Sequence, residues 1–500
     1  MTLTLTQIQR ILEEENLLRE FITPAKWGLT APFEKTFQQL SYDSRKADAD
    51  TLFFCKGNNF KAEYLQQAMD QGLSVYIAEQ PFEVEADLAI IVHDIRKALA
   101  VLSMAFYEYP QEKLTIIGIT GTKGKTTTAY FAKKILDRAN GEKTALFSTL
   151  STTLDGVTFF KSQLTTPESL ELYQMMQQAV TNGMTHLVME VSSQAYKVAR
   201  VHGLTFDVGI FLNISPDHIG PIEHPTFEDY FYCKRQLISH SKQIVLQNET
   251  DHVDLLLEMA QKQNTPVITY GDMGADYHVE PLKHPLSFAL TSEDDELGLN
   301  GEYDLRLAGD FNKENAAAAL IASRLAGADQ ANAKKGLAEA LVPGRMNLLL
   351  KENGAHIYVD YAHNYLSMKS ILAFAKEKHP EGTITVLTGS TGGKAESRRE
   401  GIGQAIGEYA DIAILTMDDS NFEDPKAIAE EIQAAIQNDH VTVHYIEDRK
   451  QAILQAIDAA GPNDALILAG KGTDKYMTLN GKDQPYEGDY VIVENYLKQP

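Results

Sequence analysis

Residues 114–136 read LTIIGITGTKGKTTTAYFAKKIL. An apolar, β-branched run enters a glycine-containing turn, and a helix-forming stretch leaves it. The spacing predicts a βα unit with its ligand loop at the C-terminal end of the strand. Gly121 and Gly124 allow backbone N–H groups to approach phosphate oxygens. Lys125 brings a point charge, and the Thr126 hydroxyl is of the type that ligates Mg2+. The helix that follows adds the positive end of its dipole. Thr122, Lys123 and Thr127 complete the nucleotide-binding loop. Its spacing is shorter than GxxxxGK[ST] counted from Gly121 and longer counted from Gly118, so it is a variant of that class.

Working outward, 500 residues exceed what one hydrophobic core supports, and two to four domains are expected. Hydrophobic content of 44% and charged content of 23% are those of a globular protein. The formal charge of −24 disfavours nucleic acid and anionic membranes as partners. An anionic ligand must therefore be held by local cations and backbone dipoles. The two cysteines, Cys55 and Cys233, are read as reduced thiols rather than a disulfide framework. The N-terminus reads as a capped amphipathic helix without a signal-type apolar region. No run approaches the roughly 18 apolar residues of a membrane span. A cytoplasmic protein without membrane insertion is expected, and a monomer, since no exposed heptad or apolar repeat appears.

Three blocks are expected, at residues 1–109, 110–341 and 342–500. The fold class is α/β with three domains: a central P-loop-type mononucleotide-binding sheet and a C-terminal doubly wound, Rossmann-like sheet. In the last block HIYVDYAHN, ITVLTGS, IAILTMDD, VTVHYIED and ALILAGKG are apolar strands ending in polar, charged or Gly-rich residues. Ligand residues are then expected at the strand C-termini.

Glu190 ends the apolar strand THLVME. Beside a phosphate loop, a carboxylate there can hold Mg2+ directly or through water. NISPDHIG offers Asp217 and His218, whose plain reading is a helix cap and an exposed imidazole. FEDYFYCKRQLI puts Lys234 on a helix, where a lysine is ordinarily a solvated charge. In SQLTTPESLEL, Pro167 is expected at the first helical position with Glu168 in the first turn.

Eight segments appear in order: GTKGKTT, MEVSSQA, NISPDHIG, YCKRQL, LAGDFNKENAAAA, VPGRMN, VDYAHN and LAGKGTDKY. Together they resemble the Mur ligases, ATP-dependent amino-acid ligases of peptidoglycan precursor synthesis, and most of all the branch that adds the third residue. The resemblance implies that ATP with Mg2+ activates a substrate carboxylate as an acyl phosphate, which an amine then attacks. It implies catalytic roles for Lys125, Glu190, His218 and Lys234, with Thr126, Glu190, His218 and Lys234 as metal ligands and Lys234 carried as N-carboxylysine. It places Arg345, Asp360, His363 and Asn364 toward ATP. Ser44, Thr165, Thr166, Ser192 and Arg200 are implied contacts of the UDP-MurNAc-dipeptide. Of the cations in STGGKAESRRE, namely Lys394, Arg398 and Arg399, one is implied for the carboxylate of the incoming amino acid.

Members of this branch that add meso-diaminopimelate carry Asp-Asn-Pro-Arg at a strand tip, the Arg meeting the far carboxylate. This chain has Asp418, Asp419, Ser420 and Asn421 there, and Asp474 in AGKGTDKY. An acidic pair without the Arg suits a cationic tail, and L-lysine is the expected amino acid. Leaving a charge-assisted pair half empty costs about 2–5 kcal/mol, or roughly 30-fold and more in discrimination. The plain alternative is that Asp418 and Asp419 cap the following helix. Meso-diaminopimelate or ornithine as substrate, or a folylpolyglutamate-synthase-like ligase, are the competing functional readings.

Overall fold

A computed structural model describes residues 1–498 except 58–59, 218, 221–222, 285, 308, 343–345 and 394–395. The first helix, Leu5–Glu14, starts at Thr4, whose hydroxyl accepts from the Gln7 amide while the Gln7 side chain accepts from the Thr4 N–H. That capping box satisfies two of the orphan donors of a helix start. Leu5, Ile8, Ile11 and Leu12 form its buried stripe.

The first sheet orders its strands Trp27–Gly28, Leu18–Ile22, Leu88–Val92, Val75–Ala78, Thr51–Phe54, Gln39–Ser41. The last four run parallel. Next comes a run of seven parallel strands: Thr144–Phe147, His186–Glu190, Thr115–Thr120, Val208–Phe211, Ile244–Gln247, Val267–Gly271 and Tyr277–Pro281. The strand Thr115–Thr120 sits inside this sheet. Its Ile116, Ile117 and Ile119 are fully buried, as expected where helices cover both faces. Gly118 is required there, because a Cβ would lie 2.5 Å from the Phe206 ring.

One hydrophobic cluster serves both sheets. It joins Leu99, Leu102 and Phe106 of the helix Ile95–Phe106 to Leu172, Tyr173 and Met176 of the helix Ser169–Thr181. Contacts accordingly gather the chain into two compact units. The first holds Met1–Glu280, Ala289–Tyr303 and Glu314–Leu337; the second holds Pro281–Phe288, Asp304–Lys313 and Ala338–Pro500. The expected division near residue 110 thus falls inside a unit with a continuous core.

In the second unit the sheet orders Asn347–Leu350, His356–Asp360, Ala465–Ala469, Ile384–Thr388, Ile412–Leu415, Thr442–Tyr445. All neighbours are parallel except the first pair. Alternate side chains face opposite helix layers. Val386 and Ile467 pack with Leu372 and Ile406, whereas Leu387 and Leu466 pack with Ile453 and Ile492. The sheet is doubly wound, with Asp360 at a strand C-terminus and Gly389, Asp419 and Gly470 just beyond others, where such sheets bind ligands.

Candidate active site

In the first unit the loop after Thr115–Thr120 turns through Gly121 (φ 156°) and Gly124 (φ 88°) into the helix Lys125–Asn140. A Cβ on Gly124 would sit 2.4 Å from Asn315 Oδ1, and one on Gly121 would sit 2.9 Å from Leu212 Cβ. The loop is pinned from behind. The Thr122 N–H donates to the Asn213 carbonyl at 3.0 Å, and the Lys123 N–H to Asn213 Oδ1 at 2.9 Å. The first-turn amides of the helix have no intrahelical acceptor and remain for an anion.

Two lysines converge on one carbonyl. Lys125 Nζ donates to Gly121 O at 2.8 Å, and Lys234 Nζ, from the helix Phe227–Ser239, donates to it at 2.7 Å. Lys234 is buried and lies 5.0 Å from the Tyr230 ring centroid. Burial, with the nearby Lys125 charge, holds its ammonium well below the ordinary lysine pKa. Burial lowers Lys125 too, against the pull of Glu190 and Asp217. Burial disfavours the charged form of such a lysine, so it gives up its proton more readily than a solvated one.

Glu190 is fully buried at its strand end. Its Oε1 accepts from Thr126 Oγ1 and from the Thr149 N–H, each at 2.8 Å, and its Oε2 accepts from Thr149 Oγ1 at 2.9 Å. A buried carboxylate beside a P-loop hydroxyl is an all-oxygen set that suits Mg2+. The residues present therefore fit the metal and a nucleotide triphosphate. His218 and Arg345, expected at this site, and Lys394 of the second unit lie outside the described residues.

The implied acceptor contacts adjoin Glu190. Thr165 and Thr149 hydroxyls are 3.0 Å apart, and Thr166 Oγ1 donates to the Glu190 carbonyl at 2.9 Å. Ser192 accepts the Ala195 amide at 3.2 Å as the cap of a short helix. Arg200 pairs with Glu168 at 2.8 Å. The helix starts at Ser169, two residues later than the expected Pro167 start, because Glu168 turns its carboxylate to Lys56 and Arg200 instead of entering the first turn. Ser44 opens a 3-10 turn and reaches Gln67 at 3.4 Å.

In the second unit Asp360 organises backbone, its oxygens accepting the Met346 and Ala362 amides at 2.8 Å. Asn364 is the N-cap of Tyr365–Lys378, and His363 is exposed. Both belong to the polar segment between the strand His356–Asp360 and that helix. The strand-tip aspartates diverge. Asp418 is buried, accepting the Asp419 N–H at 2.6 Å, and burial raises its pKa despite Arg449 and Lys471. Asp419 Oδ1 accepts from the Thr478 amide at 2.8 Å and from Lys471 Nζ at 2.9 Å. Lys471 also lies 3.6 Å from Asp474, which takes the Tyr361 hydroxyl at 2.9 Å. Neither Asp418 nor Asp419 caps the next helix; Asp424 does, ahead of Pro425.

Ser420 is buried, and Asn421 (φ 52°) accepts the Gly481 amide at 2.9 Å. Arg399 is committed to Glu423 and Glu431 at 2.8 Å each. Sequence reasoning missed Lys56, Thr149, Asn213, Asn315 and Lys471; the last three lie in the quoted segments NISPDHIG, LAGDFNKENAAAA and LAGKGTDKY, but their partners come from elsewhere in the chain, and Lys56 and Thr149 lie in no such segment. Elsewhere His224, Asp229 and Cys233 come within 4.8 Å of one another. Lys197 already pairs Asp229 at 2.5 Å, and both His224 ring nitrogens are hydrogen-bonded, so that cluster is satisfied without an ion.

A phosphate loop and a buried carboxylate at the ends of adjacent parallel strands, with a buried lysine brought to them by a helix, define a nucleotide-dependent enzyme. The family model of the Mur ligase middle domain matches residues 119–323, and that of the Mur ligase glutamate ligase domain matches residues 344–472. The chain is 56% identical over 507 aligned residues to the UDP-N-acetylmuramoyl-L-alanyl-D-glutamate–L-lysine ligase of Enterococcus faecalis, covering 100% of both chains. It is 49% identical to the Streptococcus pneumoniae serotype 4 protein of the same name, over 97% of this chain and 98% of that one. Among solved structures, a UDP-N-acetylmuramoyl-L-alanyl-D-glutamate–2,6-diaminopimelate ligase superposes with TM-score 0.71 at 25% identity, covering 99% of each chain. A folylpolyglutamate synthase from Thermotoga maritima shares the fold, with TM-score 0.55 at 18% identity over 75% of this chain and 90% of that one. The chain belongs to the Mur ligase family, ATP-dependent enzymes that form amide bonds.

Proposed function

We propose that this enzyme joins L-lysine to the D-glutamate of UDP-MurNAc-L-Ala-D-Glu, a cytoplasmic step of peptidoglycan precursor synthesis. Residues 1–109 serve the UDP portion, 110–341 serve ATP and 342–500 serve the amino acid. An acceptor carboxylate oxygen attacks the γ-phosphorus of ATP and ADP leaves. The lysine amine then attacks the acyl carbon, the C–O bond to phosphate breaks, and the amine gives up a proton. Such transfers need positioning and charge neutralisation more than covalent help. Gly121–Thr127 orient the triphosphate and Lys125 neutralises it. Glu190 and Thr126, with His218 and Lys234, would hold Mg2+, which supplies further charge neutralisation when bound. The depressed ammonium of Lys234 supports carbamate formation, in which the neutral amine adds to CO2 and releases a proton.

The observation that carries the lysine assignment is the charge at the strand tips. Two carboxylates, Asp419 and Asp474, share one ammonium, Lys471, so one negative charge is left over. Asn421 stands where diaminopimelate-adding relatives have an arginine, and its amide is tied to Gly481. The names of the Enterococcus and Streptococcus relatives point the same way. Phosphate release with ATP, Mg2+ and UDP-MurNAc-L-Ala-D-Glu tests it. Turnover should require L-lysine, with meso-diaminopimelate and ornithine poor substitutes. Faster turnover with diaminopimelate would overturn the assignment.

A further inference from the structure

Three charged side chains meet just before the helix Ser169–Thr181. Glu168 Oε2 accepts from Lys56 Nζ at 2.5 Å. Glu168 Oε1 accepts from Arg200 Nε at 2.8 Å and lies 2.8 Å from Arg200 Nη2. The Lys56, Arg200 and Glu168 side chains are only 9%, 15% and 20% exposed. Lys56 Nζ also sits 4.1 Å from the Tyr42 ring centroid, and the Tyr42 hydroxyl donates to Glu171 at 2.5 Å. Although Glu168 stands at the N-cap position, its side chain makes no cap hydrogen bond.

A guanidinium edge and an ammonium facing one carboxylate form a carboxylate receptor, and the pair carries one positive charge more than its occupant. The receptor adjoins the reaction site. Arg200 Nη1 donates to the Thr166 carbonyl at 3.3 Å, while the Thr166 hydroxyl bonds the Glu190 carbonyl at 2.9 Å. Resting on the acceptor assigned above, the D-glutamate unit brings two carboxylates. One is activated; the other needs a local cation in a chain of net charge −24.

We propose that Lys56 is a binding residue for the acceptor, and that Glu168 is the resident occupant of a Lys56–Arg200 carboxylate site from which the acceptor's non-reacting carboxylate displaces it. Lys56 stands two residues past the first-sheet strand Thr51–Phe54, so the site joins that sheet to the reaction centre within one compact unit.

The test compares binding of UDP-MurNAc-L-Ala-D-Glu with that of its analogue whose non-reacting carboxylate is an amide, on the full chain by calorimetry. Lys56→Met should weaken the acid by about tenfold or more and the amide hardly at all. Lys56→Arg should restore most of the loss. Glu168→Gln, which keeps shape and removes the competitor's charge, should tighten the acid several-fold relative to the amide. Equal effects on both ligands in Lys56→Met, or weaker acid binding in Glu168→Gln, would overturn the proposal in favour of a structural strap. Wild-type protein that binds neither ligand would instead sink the acceptor assignment itself.

Discussion

Asp474 is the more available of the two carboxylates that share Lys471. Its side chain is 32% exposed and its contact with Lys471 is 3.6 Å, whereas Asp419 is held at 2.9 Å and also anchors Thr478. Asp474→Asn should therefore lower kcat/KM for L-lysine by roughly 30-fold, equivalent to about 2 kcal/mol, with KM for ATP unchanged. Steady-state kinetics with each substrate varied would check this, and unaltered lysine kinetics would contradict it. Glu168 predicts a pH effect. Burial pushes its carboxyl up, but Lys56 and Arg200 more than reverse this, so its folded-state pKa lies below the ordinary 4.5. The folded state then holds fewer protons than the unfolded one. The resulting stabilisation is complete above that value and is lost as pH falls through the lower one. The charged groups facing Glu168 are Lys56 and Arg200, with Tyr42 and Glu171 alongside. The urea midpoint of wild type should exceed that of Glu168→Gln at neutral pH, and the gap should close as the pH falls below the ordinary 4.5 and through the lower folded-state value. A pH-independent gap would refute it.

At the scale of elements, the P-loop was legible because its chemistry is local: two glycines, a lysine and a threonine between a strand and a helix. Gly124→Ala should abolish ATP-dependent turnover. The new methyl would meet Asn315 Oδ1 at 2.4 Å, and φ of 88° adds left-handed strain of about 1–2 kcal/mol. The strand-tip loop was only half legible. Its acidic residues are plain in the sequence, but Asp418 and Asp419 lie in a bend past the strand Ile412–Leu415, and the cation between Asp419 and Asp474 arrives from 52 residues downstream. Lys56 meets Glu168 across 112 residues, a pairing that only the tertiary fold creates. Asn421→Arg tests how far charge alone sets specificity. At φ 52° an arginine loses the Asn421–Gly481 bond and sits in a strained region, so the variant should unfold about 1–3 kcal/mol more easily and still fail to use meso-diaminopimelate. Efficient diaminopimelate turnover by that variant would contradict this.

Across the whole molecule, the three α/β sheets were foreseen from apolar strands alternating with helices, but the shared core of the first two was not. Periodicity marks which face of a helix is buried, not which sheet covers it. That core has a consequence for truncation. Residues 110–500 alone would expose Leu172, Tyr173 and Met176 where Leu99, Leu102 and Phe106 now lie. Such a fragment should aggregate, whereas the full chain remains dispersed. Light scattering on the two proteins decides the matter, and a monodisperse fragment would show the cores to be separable.

The resident carboxylate between Lys56 and Arg200 also sets a threshold for the solutes around the enzyme. Being tethered, it faces those cations at an effective concentration of order millimolar or above. Acetate, chloride or free glutamate, each with a single point of attachment, gain little by exchanging with it. Only a ligand anchored simultaneously elsewhere supplies enough affinity to unseat Glu168. Fragment inhibitors that copy the acid group alone will therefore find the place taken.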